Sequence, residues 1–271
     1  SKDYLSLVQK IRPKRMYVSY EFITKKIKKI FYEDYFDKQD PTRINRFVRG
    51  LRLLKRYIYL ITFNFITKKN LKFLEREKYI IYFLQKQPEA SIDVKGVYYD
   101  DQLTNFKNIW RLIPSDFKII IKEHPNSIGD NSLFFYRKLT KFNNTILIED
   151  VDNFDGIVSK AFATFSVAST ASMQSAMLKV PSFTFAKCFF NEIKYSYRIS
   201  LEDLKNFKNI YDLKNFFNKD DDLKRNFDQT NFIQNCFDGK LLGKEIFEND
   251  NLTKVANAFI ETTISSNETN S

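Results

Sequence analysis

The sequence predicts an α/β protein: a parallel sheet covered by helices and preceded by long basic α-helices. Three observations carry this. Five short apolar runs follow residue 79, stretches with helical spacing lie between them, and the region before residue 79 shows helical spacing alone. Strand alternating with helix over short loops is the pattern of parallel pairing, because parallel neighbours need a crossover and a helix supplies it.

The elements follow in order. Residues 21–36 and 42–77 repeat apolar side chains every three or four positions among Lys and Arg, which predicts two amphipathic helices. Asp40-Pro41-Thr42 supplies the break and restart between them. The five runs, 79–84, 117–122, 145–149, 161–165 and 182–186, read as strands buried on both faces. Helices are predicted between them at 99–112, 132–142, 152–160 and 170–178. Residues 79–190 therefore form one Rossmann-like domain behind a basic helical segment, 1–78. Residues 201–236 and 251–263 predict helices that pack on this lobe within 191–264, and 265–271 predict a flexible, frayed tail.

Composition narrows the class. With 43% hydrophobic and 16% aromatic residues, the 271-residue chain can bury a substantial core and is not a disordered polymer. The net charge of +11 is unevenly distributed: residues 1–78 carry 21 Lys/Arg against 8 Asp/Glu, and the remainder carries 23 against 25. Basic amphipathic helices favour anionic membrane surfaces, so peripheral contact with such a membrane surface is an expectation. No nucleic-acid motif accompanies the charge, so no nucleic-acid partner is predicted. The longest apolar stretch, 57–66, falls well short of the roughly 20 residues of a membrane span. Two distant cysteines, Cys188 and Cys236, and a single histidine supply neither metal-ligand spacing nor a disulfide framework. With no signal-like opening, the expectation is a cytoplasmic, metal-free protein.

Candidate chemistry gathers in three loops that follow strands, and in a doubly wound sheet all such loops open on one edge. The only histidine, His124, ends the second run in Lys122-Glu123-His124-Pro125, where Pro125 stops the ladder. An imidazole there can donate to a phosphate or move a proton near neutral pH. The loop after the first run reads Gln85-Lys86-Gln87-Pro88-Glu89-Ala90-Ser91, which offers Gln87 and Glu89. After the fourth run, Ser166-Val167-Ala168-Ser169-Thr170-Ala171-Ser172-Met173-Gln174 runs directly into a helix, and hydroxyls around a helix start form an anion site. Asp150, Asp152 and Asp155 read as helix caps. The chain has no Gly-x-Gly-x-x-Gly, Walker loop or Gly-x-Ser-x-Gly elbow, which argues against classical dinucleotide enzymes, P-loop nucleotidases and serine hydrolases.

Gln87-Pro88-Glu89-Ala90, then Lys122-Glu123-His124-Pro125, then Ser169-Thr170-Ala171-Ser172-Met173-Gln174 followed by Pro181, together resemble the capsule polysaccharide biosynthesis family. These are GT-B glycosyltransferases related to bacterial Kdo transferases. The resemblance spans about residues 79–190, and the basic stretch before it is similar to the segment preceding the donor-binding lobe. Pairing a His-Pro step with Ser/Thr is also similar to bacterial sialyltransferases. Where the family has Gly-Thr-Ala-Gly-x-Glu, this chain carries serines for both glycines and Gln174 for the carboxylate.

The resemblance implies a GT-B donor lobe that transfers Kdo or a similar acidic sugar from a CMP-activated donor to a surface glycan. The nucleotide-sugar is then substrate, and no separate cofactor is implied. His124 and Glu89 take the catalytic positions. Ser169, Thr170, Ser172, Gln174, Lys122 and Gln87 take donor-binding ones. A complete GT-B enzyme needs a second lobe, so the chain is expected to be the carboxyl-terminal part of a longer enzyme. The alternative, motivated by the basic segment and the replaced glycines, is a non-catalytic membrane- or partner-binding module with a degenerate nucleotide-sugar site.

Overall fold

A computed structural model describes residues 46–68, 71–124, 127, 131–148, 154–213 and 247–268. Among them, strands β1 (Lys78–Phe83), β2 (Phe117–Lys122), β3 (Thr145–Ile148), β4 (Thr164–Ser166), β5 (Ser182–Thr184) and β6 (Ser196–Arg198) form one sheet. Its order is β3-β2-β1-β4-β5-β6 and every pairing is parallel. The helices are α1 (Arg46–Ile66), α2 (Ala90–Asp93), α3 (Gln102–Trp110), α4 (Leu133–Thr140), α5 (Phe154–Val158), α6 (Thr170–Met177), α7 (Leu201–Asn206) and α8 (Asn249–Glu268). The α/β class and the parallel Rossmann-like sheet are therefore those the sequence predicts.

Strand alternation explains why the runs read as continuously apolar. Along β1, Tyr79, Ile81 and Phe83 meet Leu74, Phe154 and Val158 on one face. Ile80 and Tyr82 meet Phe63 of α1, Phe106 and Ile109 of α3, and Tyr136 and Leu139 of α4 on the other. Both faces are covered, so neither parity of the strand can be polar. Each fully buried side chain of this size contributes about 1.5–3 kcal/mol relative to exposure.

Four elements differ from the sequence reading. The helix expected over 42–77 ends at Ile66: Phe63 belongs to one face of the sheet and Leu74 to the other, so the chain must round the sheet edge between them. It does so with the Lys68 amide donating to the Leu147 carbonyl at 3.0 Å, and resumes as a 3-10 turn at Lys72–Arg76. β6 lies ahead of the first helix expected within 191–264, where no strand is predicted; its three residues, Ser-Tyr-Arg, are too few and too polar to show periodicity. The helix expected over 201–236 stops at Asn206 because Phe207 is extended, and a 3-10 turn follows at Ile210–Asp212. At the other end, α8 continues to Glu268, so residues 265–268 are helical rather than frayed. The expectations for 1–45, for 214–246 and for 269–271 lie outside the described residues. Among the described residues no helix is long and apolar enough to cross a membrane.

Helix α1 is tied to the sheet by Phe63, which is fully buried against Tyr136 with ring centroids 5.0 Å apart. Phe63→Ala is expected to lower unfolding free energy by about 3–5 kcal/mol in a urea titration. Leu54→Ala, at a position 56% exposed on the same helix, should stay within about 0.5 kcal/mol.

Candidate functional site at the carboxyl edge of the sheet

The order β3-β2-β1-β4-β5-β6 reverses direction at β1: its successor β2 lies on one side and β4 on the other. Loops leaving β1 and β4 diverge there, and open α/β sheets bind ligands in the crevice that results. The register aligns the edge. Lys122 pairs with Phe83, and Phe165 pairs with Tyr82, so His124, Gln85 and Ala168 come two residues beyond one common level. With strands about 4.8 Å apart, the ends of β2 and β4 stand roughly 10 Å from each other across β1.

Gln85 closes the base of this crevice. It is 4% exposed, and its Oε1 accepts from the Ala168 amide at 2.7 Å, joining the β1 end to the β4 loop. Buried Gln102 braces it: the Gln85 amide donates to Gln102 Oε1 at 2.7 Å, and Gln102 Nε2 donates to the Gln85 carbonyl and to Gln87 Oε1, both at 3.0 Å. Gln87 also donates to the Asp100 carbonyl at 3.1 Å. Gln87 thus shapes the first loop, with its own side chain engaged by that loop. The Gln87-Pro88 peptide is cis.

The His124 loop is organised by Glu123, a carboxylate 1% exposed. Its Oε1 accepts from the His124 amide at 2.8 Å and Ser127 Oγ at 2.7 Å. Its Oε2 accepts from Tyr136 Oη at 2.6 Å and Asn131 Nδ2 at 3.0 Å. Four donors satisfy the buried charge among the described residues. The sequence reading assigns Glu123 no role beyond the motif it stands in; the signal was an acidic residue just beyond the buried run Ile119-Ile120-Ile121.

His124 itself is half-buried. Burial holds its imidazole below the ordinary value of 6.5, opposed by the carboxylates of Glu89 and Glu123 and reinforced by Lys122 and Lys86. Among the charges that act on it, that of Glu89, exposed at the start of α2, is the strongest. Lys122 is 7% exposed, with Nζ 4.9 Å from the centroid of the Phe154 ring.

The hydroxyl-rich turn is largely self-satisfied. Ser166 Oγ and Ser172 Oγ lie 2.7 Å apart, both fully buried, and Ser166 Oγ also accepts from the Ser169 amide at 3.1 Å. Ser169 caps α6 by accepting from the Ala171 amide at 3.2 Å. Ser172 therefore builds the turn from inside. Thr170 is exposed and its side chain makes no hydrogen bond among the described residues, and Gln174 is half-exposed one turn further along α6. Asp155 lies in the first turn of α5 as a capping acid should, while Pro125, Asp150 and Asp152 lie outside the described residues.

No protein-family model matches the chain. No curated relative matches it either. Solved structures similar to it include KpsC, a beta Kdo 2,7 transferase of Thermosulfurimonas dismutans, at 16% identity and TM-score 0.37, over 63% of this chain and 53% of that one. The UDP-GlcNAc 2-epimerase of Methanocaldococcus jannaschii, in complex with UDP-GlcNAc and UDP, is similar at 17% identity and TM-score 0.37, over 62% and 45%. The wall teichoic acid polymerase TagF is similar at 15% identity and TM-score 0.38, over 69% and 47%. The chain spans about half the length of these proteins.

Glu123→Ala would remove the four hydrogen bonds that the His124 amide, Ser127 Oγ, Asn131 Nδ2 and Tyr136 Oη make to this carboxylate, and is expected to cost about 2–4 kcal/mol by chemical denaturation. As the single histidine, His124 gives one resolvable imidazole signal. Its NMR titration midpoint should fall below 6.5, and Glu89→Gln should lower it further by removing a charge that favours imidazolium. Between that midpoint and 6.5 the unfolded chain binds more protons. His124's contribution to stability is then present above the window and lost as pH falls through it.

Proposed function

We propose that this chain is the donor-binding lobe of a GT-B-type glycosyltransferase that moves an acidic sugar, Kdo or one like it, from a CMP-activated donor to a surface glycan. The observation that carries the reading is His124 and the α6 turn standing on the two sides of β1 at the carboxyl edge. A nucleotide phosphate fits such a crevice: it needs a donor on one side and a helix start on the other.

In this reading the bond between the anomeric carbon and the phosphate oxygen breaks while the acceptor hydroxyl forms the new glycosidic bond. Negative charge develops on the departing phosphate. His124, approached by Glu89, donates to that oxygen, and the α6 amino end with Thr170 holds the remaining ones. Gln174 meets the ribose. Ser169 and Ser172 act through the turn they hold, and Gln85 keeps the two loops together. The acceptor's proton passes to a carboxylate, and Glu89 is the candidate on this chain.

A second reading has its own observation. On α1, Leu51, Leu54, Ile58, Ile61 and Phe65 recur at intervals of three and four and are 39–84% exposed. Beside basic residues such a stripe suits an anionic membrane surface or a partner helix.

Calorimetry with CMP and CMP-linked sugars separates the two. The transferase reading expects CMP binding that weakens about 10-fold or more in His124→Ala, equivalent to about 1.4 kcal/mol. Co-sedimentation with phosphatidylglycerol vesicles and no nucleotide binding would replace it with the second reading.

A further inference from the structure

A second concavity of about 520 Å³ opens on the same sheet edge, further along at β5 and β6. Its lining includes Lys95, Tyr98 and Tyr99 from the loop after β1, Ala186 and Lys187 just past β5, and Arg198 at the end of β6. Three cations from three separate segments converge there, and no carboxylate lines it. Lys95, Lys187 and Arg198 are all exposed, and none makes an ion pair or a side-chain hydrogen bond among the described residues. Like charges are gathered at a concave site without internal neutralisation, an arrangement that raises the local potential for anions.

The aromatic wall is fixed in position. The Tyr99 ring stacks on Phe185, with centroids 5.2 Å apart and planes at 29°, and Tyr98 meets Tyr99 edge-on at 5.1 Å. Tyr98 remains 77% exposed, leaving a ring face for a ligand. Gly96 packs this wall closely against the β4 loop: a Cβ at that position would lie 2.7 Å from Val167 Cγ1, so a larger residue would force a shift. The volume falls within the roughly 300–1,000 Å³ of ligand sites, and the β4 and β6 ends are about 10 Å apart.

We infer that this cleft is a subsite for the acidic group, carboxylate or phosphate, of a glycan, with Tyr98 supporting a sugar ring. The inference deepens the transferase reading and rests on it for the identity of the ligand, because cations beside an exposed tyrosine suit a charged sugar. It does not use the His124 crevice, which would hold the nucleotide. One catalytic edge would then carry two anion-holding positions, one for the leaving phosphate and one for a sugar or polymer charge.

The test is titration calorimetry on the full chain with three probes: a hyaluronan tetrasaccharide (carboxylates), glucose 6-phosphate (phosphate) and maltotetraose (neutral). Binding of at least one acidic probe is expected, weakened 10-fold or more by Lys187→Glu with Arg198→Glu, and reduced by added salt. Maltotetraose should not bind, and CMP affinity should be the same in the variant as in the parent chain. Whichever acidic probe binds more tightly identifies the charged group. Lys95→Ala, at an exposed site on another segment, gives a milder second variant that should weaken the same probe several-fold. Equal affinity in parent and variants, no acidic probe bound, or maltotetraose bound as well as the tetrasaccharide would each overturn the subsite. Should an acidic probe bind as expected while CMP does not, the cleft stands and the nucleotide-sugar reading falls.

Discussion

Strand β1 carries the constraint from which the rest of the site follows. Its neighbours are β2, the next strand in sequence, and β4, reached only after the chain has built β2 and β3. Right-handed crossovers then lie over opposite faces on the two sides of β1, and the loops leaving β1 and β4 separate. Every candidate group stands at the rim of that separation. The apolar run that makes β1 central therefore also determines where a ligand can enter.

A crevice between diverging loops would be soft if only backbone turns lined it. Here buried polar side chains hold it. Gln85 spans from β1 to the β4 loop, Gln102 supports Gln85, and Glu123 gathers four donors beneath His124. Groups buried in this way are strongly coupled to the fold, since each lost partner leaves another polar atom without compensation. The consequence for chemistry is a division of labour. Ser166, Ser172, Gln85 and Glu123 are buried and hydrogen-bonded within the fold, whereas His124, Glu89, Thr170 and Gln174 retain exposed surface.

The proposed subsite adds a charge gradient along this edge. At the β1–β2 end, carboxylates and lysines surround a half-buried imidazole; at the β5–β6 end, three cations face an open concavity. The loop after β1 contributes to both, with Glu89 near one end and Lys95 to Tyr99 near the other. Gly96 presses that loop against Val167, so a shift of the loop would move both groups together.

Alternation of apolar runs and helical spacing sufficed to read an α/β parallel sheet, because burial on both faces leaves no polar parity and the pattern is local. The same reading pointed to His124, Glu89 and the Ser169–Gln174 stretch, since chemistry at the ends of parallel strands is a topological rule. The end of α1 at the sheet edge, the tripeptide β6 and the brief α7 lay beyond it, each decided by which face of the sheet a distant residue must reach. Tertiary structure alone set Lys122 beside the Phe154 ring, put the Ser172 hydroxyl inside the turn, and made Gln85 and Glu123 the supports of the site. A side chain's partners come from distant segments, as Gln85 and Ala168, 83 positions apart, illustrate, and no local pattern encodes such a meeting.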